Sequence, residues 1–165
     1  MILGFSHPAI VVADLERMID FYTKAFEFKP LSRQFESWDN NSAIDAAIGL
    51  NHSSVTGAML AGHNCYLELF QFRSPCSDAV QPDAISAAGA GLRHLCFYTD
   101  DVSGDYHRLL ELGANALGSP QADIPAVYLR DPEGNIIELA EFPSGIENLV
   151  NLEGISRLQE HTINV

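Results

Sequence analysis

Apolar positions along this chain follow one order of patterns, and the order occurs twice. "ILGFSHPAIVV" (2–12) is rich in β-branched and aromatic residues and predicts a strand. "ADLERMIDFYTKAF" (13–26) changes to helical spacing, with Leu15, Met18, Ile19, Tyr22 and Phe26 on one face and Asp14 placed as the N-cap. Strand patterns follow at 27–38, 55–61 and 65–72, the last two joined by a tight "GHN" turn, with an irregular stretch over 39–53. The order then restarts. "LRHLCFYT" (92–99) predicts a strand and "DDVSGDYHRLLELGA" (100–114) a helix, with Val102, Tyr106, Leu109 and Leu110 on its apolar side and Gly113 as its stop. Strands follow at 114–119, 126–130 and 135–142, the last pair joined by "DPEGN", whose Asp, Pro and Gly suit a short hairpin.

The repeat is visible residue by residue. Gly4, His7 and Asp14 correspond to Gly91, His94 and Asp101, all at an offset of 87 (94 − 7). Glu68 in "YLELFQF" corresponds to Glu138 in "IIELAEF". His to Glu spans 61 residues in the first copy (68 − 7) and 44 in the second (138 − 94), and the excess of 17 falls on the irregular stretch, as a loop insertion does. The chain therefore reads as a single α+β domain over 1–165 made of two strand–helix–strand–strand–strand modules. Module one is 1–74, the Pro/Gly/Ala-rich 75–90 is a linker, module two is 91–142, and 143–165 is a C-terminal extension expected to hold a short helix.

Composition narrows the function. With 47% hydrophobic and 19% charged residues, 165 residues suffice for one packed core. A net charge of −13 excludes the basic face that nucleic acid or an anionic membrane surface requires. No apolar run is long enough for a membrane span, and the first residues lack the basic start and apolar stretch of a secretory signal. Cys65, Cys76 and Cys96 are odd in number and scattered, which predicts free thiols and a cytoplasmic location.

Strand alternation then isolates four residues. Glu68 shares a face with Tyr66, Phe70 and Phe72, and Glu138 with Ile136, Ala140 and Phe142. An ionised carboxylate in an apolar row is costly unless paired or metal-bound. Two such carboxylates, each in a module with a matching His, share one explanation: His7, Glu68, His94 and Glu138 hold a divalent ion. Imidazole nitrogen with carboxylate oxygen suits Zn, Ni, Co, Mn or Fe(II). Four protein ligands in an octahedral shell leave two positions for substrate oxygens. His52, His63, His107 and His161 have no matched partners and read as surface or structural residues, while Arg130 braces the "DPEGN" turn. Asp101, like Asp14, reads as a helix cap, and Arg33, Arg73 and Arg93 are cations available to an anionic substrate.

The stretches "GFSHPAIVVADLERMIDFYTKAF", "YLELFQF", "GLRHLCFYTDDVSGDYHRLLELGA" and "YLRDPEGNIIELAEF" resemble the vicinal oxygen chelate superfamily, which includes glyoxalase I, methylmalonyl-CoA epimerase, extradiol dioxygenases and fosfomycin and bleomycin resistance proteins. The resemblance covers nearly all of 4–142 and implies paired βαβββ modules whose curled mixed sheets enclose a metal-centred cleft. The four residues above fall on the family's ligand positions. A complete His/Glu/His/Glu set is similar to glyoxalase I. Methylmalonyl-CoA epimerase usually has Gln at the place of Glu68. The resemblance implies a metal-dependent lyase or isomerase that removes a proton next to a carbonyl through a metal-stabilised enediolate, with Glu138 or Glu68 as the proton carrier. It also implies a small-molecule substrate and a homodimer. The alternatives are an extradiol-type iron(II) dioxygenase, which a fourth protein ligand disfavours, and a non-catalytic small-molecule binding protein, which the full set disfavours.

Overall fold

A computed structural model describes residues 4–31, 37–76 and 86–146. The expected helix in 143–165 falls almost wholly outside them. In chain order the elements are β1 (Ala9–Val11), α1 (Leu15–Phe26), β2 (Lys29–Leu31), β3 (Trp38–Asp39), α2 (Ser42–Ile48), β4 (Ser54–Ala61) and β5 (Tyr66–Ser74), then β6 (His94–Thr99), α3 (Val102–Glu111), β7 (Asn115–Ala116), β8 (Ala126–Arg130) and β9 (Ile136–Glu141).

Each module builds its own mixed sheet. The first has the order β1-β5-β4-β2, with β3 also on β4, and the second has β6-β9-β8-β7. The repeat is carried into the register. β1 runs parallel to β5 with Ala9 opposite Glu68, and β6 runs parallel to β9 with Cys96 opposite Glu138. Ala9 and Cys96 stand at the same offset of 87 as the two histidines (96 − 9).

Both long helices are capped as their sequences require. Asp14 accepts from the Arg17 N–H, and Asp101 accepts from the Gly104 N–H. Gly113, at φ +102°, takes the left-handed turn after α3 that a side chain would resist. The helices lie on the same side of their sheets as Leu67, Leu69, Ile137 and Leu139, and the two modules share one core in which Met18, Tyr22 and Leu60 join Leu109, Leu129 and Ile137. Alternation sends Glu68 and Glu138 to the opposite face, away from that core.

Three expectations change. Among the described residues of the strand expected over 2–12, only Ala9–Val11 form one, so His7 sits just before the ladder; Pro8, which has no N–H to give a ladder, marks the start. Of the strand expected over 27–38, the described residues form β2 and β3, and 32–36 lie outside them. The stretch read as irregular at 39–53 contains α2, because Asn41 caps it by accepting from the Ala43 and Ile44 N–H groups and Gly49 (φ +73°) closes it. Local capping supplied what so short a run could not signal by periodicity.

Candidate functional site

The parallel pairing at the start of each module brings each histidine to its glutamate. His7 Nε2 lies 3.1 Å from Glu68 Oε2, and His94 Nε2 lies 2.9 Å from Glu138 Oε2. All four side chains are partly screened, with 30% and 34% of the histidines exposed and 16% and 20% of the glutamates. That leaves the carboxylates sheltered but reachable. Ser6 Oγ lies 2.9 Å from His7 Nδ1. The hydroxyl can accept from Nδ1–H or donate to Nδ1, so it can orient the ring whether Nε2 gives its proton to Glu68 or its lone pair to a metal. In the second module the Tyr128 ring lies 5.1 Å from the His94 ring, centroid to centroid. Tyr128 and Cys96 flank Glu138 on its two neighbouring strands, as Met59 and Ala9 flank Glu68.

The structure thus brings the four residues together two by two. Among the described residues of one chain, no group of three or more His, Cys, Asp or Glu side chains is placed to hold one ion.

The chain from residue 4 to residue 139 matches the sequence profile of the Glyoxalase/Bleomycin resistance protein/Dioxygenase superfamily. The chain belongs to this superfamily. Solved structures agree on the fold. A glyoxalase family protein from Bacillus cereus is 24% identical with a TM-score of 0.73, over 86% of this chain and 95% of that one. A mutant of the fosfomycin resistance protein FosX from Listeria monocytogenes, complexed with Mn(II) and 1S,2S-dihydroxypropylphosphonic acid, is 16% identical with a TM-score of 0.57, over 85% and 93%. An integron cassette protein from Vibrio cholerae is 21% identical with a TM-score of 0.53, over 87% and 98%. Among curated protein sequences none matches.

In this glyoxalase-superfamily chain the second pair has a thiol and a phenol as strand neighbours, where the first has Ala9 and Met59. Burial, followed by the charge of Glu138 and a hydrogen bond with it, pushes the Cys96 thiol up to about 11. Burial and then Glu138 also raise the Tyr128 phenol. Both groups therefore stay protonated at neutral pH, and the Cys96 thiol has a hydrogen bond with the carboxylate. Neither was singled out by the sequence, since strand register, not chain proximity, sets them next to Glu138.

The modules are joined behind the site. Glu133, in the β8–β9 turn, accepts the backbone N–H groups of Ala13 and Asp14 at 2.7 and 2.8 Å, where β1 passes into α1. Tyr22 donates to Asp131 in the same turn at 3.0 Å. Asp131 also accepts from the Glu133 and Asn135 N–H groups, and burial nevertheless holds its carboxyl above the ordinary range. Arg130 Nη1 donates to the Gly134 carbonyl and braces the turn as expected. Between the modules, a cleft of about 740 Å³ is lined by Phe26, Phe28, Cys65, Cys96, Tyr98 and Arg108.

Among the described residues, the other histidines and arginines singled out by the sequence have partners outside the two pairs. His63 pairs with Glu27 at the surface, His52 bonds Asn40, and His107 lies on α3 against Tyr106. Arg73 is bonded to Ser54 and Thr56, and Arg93 to the Gly91 carbonyl. Arg33 and His161 lie outside the described residues. Cys65, Cys76 and Cys96 are free thiols. No described helix is long and apolar enough to cross a membrane.

Proposed function

We propose that the protein is a metal-dependent lyase or isomerase that moves a proton on carbon next to a carbonyl. The observation that carries this reading is the matched pair of His–Glu contacts. Two ligand atoms on one edge of an octahedral shell with bonds of about 2.1 Å stand about 3.0 Å apart. The contacts of 3.1 and 2.9 Å fit that edge, and their nitrogen and oxygen donors suit Zn, Ni, Co, Mn or Fe(II).

Each pair is half of a four-ligand set. Because the described residues of one chain hold the halves apart, a second copy supplies the missing half: His7 and Glu68 of one chain would meet the His94 and Glu138 of another. The sheet faces beside the pairs carry apolar residues exposed to solvent, among them Tyr66 (41% exposed) and Tyr98 (48%), which a homodimer would cover.

When bound, the ion supplies Lewis-acid stabilisation of the negative charge that develops on substrate oxygen. The chain's own residues do the rest. Glu138 or Glu68 takes the proton from the substrate carbon at a carboxylate oxygen and returns it. The apolar rows around both glutamates limit water at the reacting carbon.

The test is metal content of the purified protein together with turnover of 2-oxoaldehyde hemithioacetals and 2-methyl-3-oxoacyl thioesters. Bound metal with proton exchange on one of these classes is the expected result. Oxygen uptake with catechols, or tight small-molecule binding without metal, would replace this reading.

A further inference from the structure

The 17-residue excess of module one has no counterpart in module two, and its fold has one outcome that faces the site. α2 places Asp45 against Ser53, accepting from its N–H at 3.1 Å and from its hydroxyl. Ser53 Oγ in turn accepts the indole N–H of Trp38 at 2.7 Å. With its polar atom fixed, the indole packs edge-on against Phe70 and Phe72, at centroid distances of 5.5 and 6.1 Å. Phe70 and Phe72 alternate with Glu68 on β5 and so share its face. Val55, the partner of Phe72 across β4, and Met59, the partner of Glu68, are buried, yet both stand outside the core shared by the helices. The insertion therefore builds a second apolar cluster on the carboxylate's own face.

The charge of that face points the same way. No residue paired in register with β5 or alternating beside Glu68 on that strand is a cation. Lys29 lies on β2, at the exposed edge two strands away. Trp38, Phe70 and Phe72 remain only half-buried, so the wall keeps apolar surface to offer. Among the described residues of that face a phosphonate or a polyanionic thiol carrier would meet no cationic side chain, whereas a planar apolar group would bury area against three rings.

We infer that the Trp38–Phe70–Phe72 wall selects substrates whose oxygen-bearing carbon carries an uncharged aromatic substituent, the ring lying on the wall while the oxygens face the His–Glu pairs. The inference rests on the metal-dependent reading above and specifies its substrate class.

Lactate and mandelate test it, because they share vicinal oxygens and differ in a methyl against a phenyl group. Trp38 is the only tryptophan of the chain, so its emission reports contact at the wall. Titrations of the Mn(II)-loaded protein, followed by calorimetry and fluorescence, are expected to show mandelate binding about tenfold or more tighter than lactate, with the emission changed by mandelate. Phe70→Ala, and the gentler Phe72→Leu, are expected to shrink that preference while lactate affinity holds. Equal affinities, tighter binding of 2-hydroxypropylphosphonate than of mandelate, or a Phe70→Ala variant that loses its assembly state but keeps the preference would each overturn the inference and leave the metal reading intact. Failure of every acid to bind, with no metal retained on loading, would overturn both.

Discussion

The Tyr22 hydroxyl donates to Asp131 across 3.0 Å, tying α1 of module one to the turn that leads into the Glu138 strand of module two. Burial is the largest influence on that carboxyl and raises its pKa, while the Tyr22 bond opposes the rise. A raised folded-state value means that Asp131 contributes stability fully only below its unfolded value, and that this is lost as pH rises through the folded value. Tyr22→Phe removes an opposing bond, so the folded value rises further. The variant is expected to cost about 1–3 kcal/mol at neutral pH and less at an acid pH low enough to protonate Asp131. Urea denaturation at both pH values measures the difference; an equal loss at both would refute the assignment.

Glu133 makes the other tie. It is 4% exposed and accepts two backbone N–H groups at the start of α1. Glu133→Ala leaves both donors without a partner and is expected to destabilise by roughly 2–4 kcal/mol, whereas Glu133→Gln keeps one acceptor oxygen and loses about half of that. Thermal unfolding of the two variants gives the ranking.

A shared site predicts complementation between two inactive proteins. His7→Ala and His94→Ala each damage both sites of a homodimer. In a mixed dimer both lesions meet in one site and the other is intact. Unfolding and refolding an equimolar mixture should restore about a quarter of the parent activity, since half of the dimers are mixed and each carries one good site of two. No recovery would place all four ligands within one chain.

The glutamates separate a base from a ligand. Gln keeps the shape and one oxygen but accepts a proton poorly. Glu138→Gln, or Glu68→Gln if that residue is the carrier, is expected to keep much of the metal and lower turnover by roughly 10²-fold. If both variants exchange the substrate's α-proton with solvent at the parent rate, the proton-transfer mechanism is wrong.

Much of this was legible in the sequence because it is local or repeated. Helical spacing around Met18 and Tyr22, the caps Asp14 and Asp101, and the turn at "DPEGN" each depend on a few neighbouring residues. The 87-residue offset paired His7 with His94 and gave two modules without any knowledge of their packing. Alternation placed Glu68 on one face with Tyr66, Phe70 and Phe72, and Glu138 on one face with Ile136, Ala140 and Phe142, since a strand has a strict period of two.

The tertiary structure decided what depends on register and on residues far apart. Only parallel pairing of β1 with β5 and of β6 with β9 brings each histidine to its glutamate, across 61 and 44 residues. The same register sets Cys96 and Tyr128 beside Glu138, and no pattern along the chain signals it. The tie of Glu133 to Ala13 spans 120 residues, and a turn motif shows nothing of what its carboxylate will meet. Trp38 looked like the end of a strand; it became part of a wall because α2, too short to announce itself, put Ser53 under its indole. Sequence sets local preference and periodicity, whereas the choice among distant partners follows from how the whole chain buries its core.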